Sequence, residues 1–515
     1  MEGLADETVV IFLLLVVSLV AILVRWVRLP YTIALVLFGL LIGVLGAFPQ
    51  VELTPHLILV TFLPALLFEA SFHLDFESLW ENFSTIATLA IPGVLLSTLI
   101  IGGILHLAIG LPLAVTLLFG ALISATDPVA VLAIFGELGA PRRLSCIMEG
   151  ESLFNDGTSI VLFNIILAIV LTGQFEPGES VWRFVRVAFG GAALGIAAGY
   201  LFSLLIQRID DYLIEITLTT ILAYGVYLMA EQVHISGVIA VVTAGIVLGN
   251  YGASIGMSPT TKIVLAQFWE YLAFIANSLV FLLIGLQINL PRLLQYAHPV
   301  LWGIGAVLVA RVTVVYLTSL PIHRLFRPLP LAWRHILVWG GLRGAIALAL
   351  ALGLPPELGP WRELLRVTAF GVVFFTLVGQ GTTMRPLLRR LGLMERHEKA
   401  AEYEIRWGKL YAMQAAWRRL QRMNEDGLLS DPIWRELNNE YRLLGQQLSE
   451  GIHQLYQEHE ELEQQELLEA RREALRAERG ALQDLLRRGI ISEEVYRKLA
   501  GDVDRRLDAL EERTN

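Results

Sequence analysis

Along the first 390 residues, apolar side chains come in long unbroken runs; beyond them they recur only at helical spacing among charges. A helix needs roughly 20 apolar residues to cross a bilayer. Thirteen runs meet or approach that length: 8–26, 31–48, 55–73, 84–109, 112–135, 144–172, 181–206, 212–231, 235–250, 262–288, 299–321, 331–353 and 364–384. They predict an all-α polytopic membrane domain over residues 1–390. Residues 391–515 predict solvated helices instead. Leu448, Leu455 and Leu462 recur every seven residues, as do Leu468, Leu475 and Leu482, but the two sets are out of register, against one long coiled coil. Glu469/Arg472 and Glu473/Arg476 make i,i+3 pairs on a polar face. Gly489 followed by Ser492 marks a helix stop and a restart.

Charge sharpens the division. Of 39 Lys+Arg and 48 Asp+Glu, 20 and 26 fall in residues 391–515. The formal net charge of −9 leaves neither part basic enough for nucleic-acid binding. The single cysteine, Cys146, excludes an intramolecular disulfide, and the ten histidines show no paired ligand spacing, so no cofactor is expected. Twelve basic residues flanking the runs, Arg25, Arg28 and Arg327 among them, fall on one side. Five fall on the other: Arg183, Arg186, Arg292, Arg362 and Arg366. That bias puts the tail in the cytoplasm and the N-terminus outside. Glu2, Asp6 and Glu7 precede the first run where a signal peptide would carry positive charge, so it is read as a span.

The runs are interrupted where chemistry is concentrated. Ser124-Ala-Thr126-Asp127-Pro128-Val129 and Glu149-Gly-Glu151-Ser152-Leu-Phe-Asn155-Asp156-Gly157 place carboxylates inside apolar segments. A charge there costs at least about 2.5–3.5 kcal/mol, so it is paired, hydrated or functional. Pro128 removes a donor and breaks the fifth span, leaving carbonyls beside Asp127 without helical partners. Ser152 and Asp156, four apart, share one helix face with Glu149 a turn below; Glu151 and Asn155 share the adjacent face. In the twelfth span Arg343 stands among Gly340, Gly341 and Gly344, which weaken the helix. Two interrupted spans seven apart point to an inverted-repeat transporter. Crossed half-helices would aim opposed dipole ends at each other, and Asp127 and Arg343 can each neutralise one. Glu69, the only acid of the third span, follows Pro64 by five residues and is placed on an access route. Arg311, Glu215, Glu231 and Glu270 are read as helix-pairing or interfacial charges, and Asn277 as a packing amide. No Gly-x-Gly-Asp, His-Glu-x-x-His or Gly-x-Ser-Gly segment suggests an intramembrane protease, and no Thr-Val-Gly-Tyr-Gly run suggests a channel filter.

Ala125–Val129, Gly150–Asp156, Phe268-Trp-Glu270, Phe281-Leu-Leu-Ile-Gly285 and Gly340–Gly344, in this order, resemble the bacterial NhaP-type sodium/proton exchangers, relatives of the animal NHE exchangers. The resemblance runs over most of residues 8–390. It implies an NhaA-like fold of thirteen spans in a homodimer of the inner membrane. Spans 4–6 and 11–13 would form a moving core, spans 1–3 and 8–10 a scaffold, and span 7 a linker. It also implies that Asp156 alternately holds cation and proton. Ser152, the Thr126 carbonyl, Asp127 and Glu69 would complete or neighbour the shell of the transported sodium ion. Asn155 would pack against the Pro128 break, and Glu151 and Arg343 would form a structural ion pair. Asn155 in front of Asp156, where electrogenic relatives carry two aspartates, implies one-for-one electroneutral exchange, because an amide carries no second proton. Lithium or potassium as the transported ion stays open at this stage.

Overall fold

The computed structural model describes residues 2–512 except 25, 27–28, 46–53, 210, 254–255, 326–328, 394, 459 and 489. Arg25, Arg28, Arg327 and Gly489 therefore lie outside the described residues. So do the side chains of Glu2, Asp6, Glu7, Arg324, Leu455, Leu462, Leu468, Glu469, Arg472, Glu473 and Arg476. All regular structure among the described residues is helical, and contacts divide the chain into Met1–Leu393 and Met394–Asn515.

In the first unit the helices are α1 (Glu2–Val24), α2 (Tyr31–Leu45), α3 (Leu63–His73), α4 (Phe76–Ala90), α5 (Pro92–Ile109), α6 (Leu113–Ser124), α7 (Val129–Leu138) and α8 (Arg142–Thr172). They continue as α9 (Pro177–Ile206), α10 (Tyr212–Gln232), α11 (Gly237–Val247), α12 (Pro259–Gln287), α13 (Leu290–Gln295) and α14 (Ala297–Leu325). The unit closes with α15 (Leu331–Trp339), α16 (Ala345–Leu352), α17 (Pro360–Phe375) and α18 (Gly381–Arg390). Eight stretches are long and apolar enough to cross a membrane, and four shorter ones are apolar, among the described residues. The expected count of thirteen spans, two of them broken, is met by these helices only in part. Residues 331–352 are two short helices because the Gly340–Gly344 segment leaves the helical path, and a π-helical turn over Leu57–Phe62 precedes α3.

Glycines set how closely the helices approach. A Cβ on Gly39 of α2 would lie 2.2 Å from the Leu282 carbonyl of α12, and one on Gly285 would lie 2.2 Å from the Val36 carbonyl. A Cβ on Gly191 or Gly195 of α9 would likewise lie 2.6 Å from the carbonyl of Ser236, which caps α11, or 2.3 Å from that of Ala240 within it. Backbone-to-backbone contact of this kind supplies the dispersion energy that holds helices together in lipid, where apolar side chains gain nothing by leaving solvent.

The second unit holds α19 (Glu395–Glu425), α20 (Asp431–Glu458), α21 (Glu460–Arg487) and α22 (Glu493–Glu512). Trp417 Nε1 donates to Asn438 Oδ1 at 2.9 Å and Arg406 Nη1 to the Gly451 carbonyl at 2.7 Å, joining α19 to α20. Leu475, Ala500 and Val503 are buried where α21 meets α22. The expected restart is capped: Ser492 Oγ accepts from the Val495 amide at 3.4 Å.

Gly285→Leu should force α2 and α12 apart and lower stability by about 1–3 kcal/mol. A fall in melting temperature of the detergent-solubilised protein checks this, with exposed Gly480→Ala as the neutral control.

Candidate ion-binding site

The chain leaves helix at two places that meet. Between α6 and α7, residues 125–128 are non-helical; between α15 and α16, residues 340–344 are irregular. The Asp127 amide donates to the Leu342 carbonyl at 2.8 Å, tying one break to the other. Gly344 is required at this crossing, since a Cβ there would sit 2.0 Å from Asp127 Oδ2.

Four helix ends therefore point inward, each with unpaired backbone groups and a partial charge. Asp127 serves the two positive ends. Its Oδ1 accepts from the Val129 amide at 3.1 Å at the start of α7, and the Ala345 amide at the start of α16 also bonds it. Arg343 serves the negative end of α6, donating from Nη1 to the Ser124 and Ala125 carbonyls at 2.6 and 3.1 Å. The fourth end belongs to Arg311 of α14, whose Nε and Nη2 donate to the Leu337 carbonyl of α15 at 3.0 and 2.8 Å.

Arg311 also corrects an expectation. Glu151 pairs with Arg311, not Arg343: Arg311 Nη1 bonds Glu151 Oε1, and Nη2 donates to Oε2 at 3.0 Å. Both residues are at most 6% exposed. The expectation failed because Arg343 Nη1 is directed to carbonyls of the α6 terminus, and because helical periodicity does not say which distant arginine faces Glu151. Two-point contact with a carboxylate is what a guanidinium geometry favours.

The carbonyls that Pro128 was expected to leave free are also taken. Pro128 caps α7, and Thr126, two residues before it, is held from three directions by α8. Ser152 Oγ donates to the Thr126 carbonyl at 2.6 Å. Asn155 Oδ1 accepts from the Thr126 amide at 3.3 Å, and Asn155 Nδ2 donates to Thr126 Oγ1 at 2.6 Å. Asp156, one turn beyond Ser152, is 7% exposed, and no described residue hydrogen-bonds its carboxylate.

A cavity of about 300 Å³ opens in front of this face. Asp127, Thr126, Ser152 and Asp156 line it from the breaks and α8, and Glu69 lines it from α3. The carboxylate of Glu69 lies 3.4 Å from His73 Nδ1, one turn along α3. Glu151, Asn155 and Arg343 stand behind the wall. Two residues given lesser parts in the sequence also line the cavity: Glu149 and Asn277. Glu149 was findable, since it shares the Ser152–Asp156 stripe at i+3 and i+7. Asn277 was not, because nothing in its own helix says which neighbour it faces. The cavity lining holds four carboxylates and no basic side chain.

Comparison with known proteins gives the family and the fold. A family model described as sodium/hydrogen exchanger, transmembrane, matches residues 11–390. The chain is 40% identical over 501 residues to the Na(+)/H(+) antiporter NhaG of Bacillus atrophaeus, covering 94% of each, so the similarity includes the tail. It is 42% identical over 370 residues to the Na(+)/H(+) antiporter ApNhaP of Aphanothece halophytica, covering 71% of this chain and 70% of that one. Its fold is similar to the sodium proton antiporter MjNhaP1 of Methanocaldococcus jannaschii, with TM-score 0.63 and 22% identity over 76% of this chain and 99% of the other.

Removing one member of the Glu151–Arg311 pair strands a buried charge, at about 3–5 kcal/mol. Arg311→Leu should destabilise more than Glu151→Gln, because it also frees the Leu337 carbonyl. Melting temperatures of the two variants and of the double variant check the order, and additive losses would contradict a direct pair.

Proposed function

The chain belongs to the sodium/hydrogen exchanger family, and on that premise we propose that it is an antiporter in which Asp156 is held in turn by sodium and by a proton. Antiport of these two ions is the activity named for its relatives NhaG and ApNhaP. The observation that carries the residue assignment is the cavity wall, with four acids and no base. No described residue hydrogen-bonds Asp156 or Glu149 there, and Asp156 is the one a turn from the Ser152–Thr126 contact. The mobile counter-charge for such a wall is a cation from solution.

The four acids differ in how they are held. Asp127 is engaged by two amides at helix starts, and Glu69 lies against His73. Asp156 has no fixed partner, so its charge is neutralised only by what enters. A proton or a sodium ion does this equally, and their competition for one carboxylate couples the two fluxes. With the site empty, an ionised Asp156 would face apolar surroundings during any exposure to the other side, and desolvating it costs several kcal/mol. The loaded forms escape that cost. Ser152 and the Thr126 carbonyl are the neutral oxygens for the ion: turning the hydroxyl away frees both for a hard cation. Asp127 and Glu69 neighbour this shell, and Glu149, on the same stripe, attracts cations into the cavity.

Asn155 sets the stoichiometry in this reading. Its amide is spent on Thr126 and carries no titrating proton, so one carboxylate exchanges one proton for one monovalent cation. The core of spans 4–6 and 11–13 moves against the scaffold of a homodimer in the inner membrane, with the N-terminus outside and the tail in the cytoplasm.

Asp156→Asn should abolish sodium-driven proton movement in reconstituted vesicles while leaving the melting temperature within a few degrees of wild type. Exchange surviving in that variant would remove Asp156 from the role. Wild-type exchange should also be unchanged by an imposed potassium-valinomycin potential, and a rate that follows voltage would refute the one-for-one ratio.

A further inference from the structure

Where α12 ends and α17 begins, a smaller cavity of about 70 Å³ is lined by two guanidiniums and one carboxylate. Arg292 comes from α13, and Glu363 and Arg366 come from the first two turns of α17. The three form one chain of charges: Arg292 Nη1 bonds Glu363 Oε1, and Arg366 Nη1 lies 3.8 Å from Glu363 Oε2. The backbone holds Arg292 in place. Asn289 Oδ1 accepts from the Arg292 amide at 3.1 Å, capping α13. The two helices meet at Gly371 of α17, where a Cβ would lie 3.3 Å from Leu293 Cδ2 of α13 and 2.5 Å from Val300 Cγ1 of α14.

Charge and hydrogen bonding do not close in this corner. Two cations face one anion, which leaves one positive charge over. Arg366 Nε is buried with no acceptor among the described residues, and a buried donor is costly to leave unmade. Arg362, next to Glu363 in the chain, is engaged elsewhere, donating from Nε to the Leu354 carbonyl at 2.7 Å. An acceptor with one negative charge would meet both deficits. The position says where such a group comes from. Thr261–Gln287 and Pro360–Arg390 are both long and apolar enough to cross a membrane, and the cavity lies between the end of one and the start of the other. Span ends are the depth at which lipid headgroups lie. Val367 and Phe370 line the cavity as apolar wall, and α13 and the start of α14 expose Leu290, Leu294, Leu301 and Trp302. Exposed Trp beside exposed Leu is the pattern of a membrane interface.

We propose that this corner holds the phosphate of an anionic phospholipid, gripped by Arg292 and Arg366 with Glu363 between them. A phosphodiester carries one negative charge, which is the excess that the three side chains leave. Guanidiniums suit it because their planar donors match phosphate oxygens in pairs. Glu363 holds the two cations near each other before the lipid arrives, and the exposed leucines are where its acyl chains lie. The bound phosphate ties α13, and through it the end of α12, to the start of α17. No residue lining this cavity lines the ion cavity, so the site stands apart from the carrier role of Asp156.

Thermal-shift titration and native mass spectrometry of the full chain in detergent test this. Phosphatidylglycerol should raise the melting temperature saturably; phosphatidylcholine, whose phosphate is balanced by its own choline, should not. Arg292→Gln, at an exposed position that folding tolerates, should weaken phosphatidylglycerol binding about tenfold, and Arg366→Gln should do the same. Glu363→Gln should tighten binding several-fold, whereas loss of a merely structural ion pair would lower stability and leave lipid affinity unmoved. Exposed Arg183→Gln should bind as wild type does, which separates the corner from general attraction of anionic lipid to positive charge. Phosphatidylglycerol bound equally by wild type and Arg292→Gln, or weakened as much by Arg183→Gln, would overturn the proposal. Sodium phosphate is the third titrant, and stabilisation by it equal to that by phosphatidylglycerol would overturn the lipid as the source of the phosphate. Asp156→Asn should leave lipid binding unchanged, so failure of the carrier assignment is read separately from failure of this site.

Discussion

Four helix ends meeting inside the apolar domain are the constraint on which the remaining structure depends. Each end leaves backbone donors or acceptors unpaired where no water is guaranteed, and each such group costs several kcal/mol if left alone. The chain answers with three ionisable side chains. Asp127 takes the starts of α7 and α16, Arg343 the finish of α6, and Arg311 the finish of α15. Charge and hydrogen bonding are satisfied together, because a carboxylate accepts from amides and a guanidinium donates to carbonyls. The balance leaves one cation over, and Glu151 meets it through Arg311.

That accounting explains why the acids beside the breaks are not equivalent. Asp127 belongs to the backbone as much as to the cavity, and Glu151 is bound to a guanidinium out of reach of solvent ions. Asp156 lies one turn from Ser152 on a helix that is otherwise fastened to Thr126 by three bonds. The fastening keeps the Asp156 face at a constant distance from the crossing, so a carboxylate without a partner is held rigidly in place. Rigid placement of an unpaired acid is what a site needs if its occupant is to be exchanged rather than kept.

Small residues make the second contribution. Gly344 lets Asp127 reach the crossing, Gly157 lets Ile239 seat against α8, and Gly39 with Gly285 lets α2 and α12 touch through their backbones. None of these glycines carries chemistry. Their positions decide how near the acids lie to the breaks and how closely the helices around them pack. Helix packing and the approach of the acids to the breaks are thus governed by the same class of contact.

The amino-acid sequence alone determined the helical class, the separation of an apolar domain from a charged tail, and both interruptions, since apolar run length, proline and glycine act within a few residues. It also determined which acids share a stripe, because 3.6 residues per turn places Glu149, Ser152 and Asp156 together without reference to any other helix. The partner of Glu151, the cavity-facing position of Asn277 and the capture of the Thr126 carbonyl by Ser152 were decided only by tertiary structure. Each of these joins residues on different helices, and helical periodicity gives a direction around one axis, not the identity of what lies across from it. Arg311 and Arg343 were both buried arginines able to reach Glu151, and only the crossing of the two broken helices assigned each to its own carbonyls.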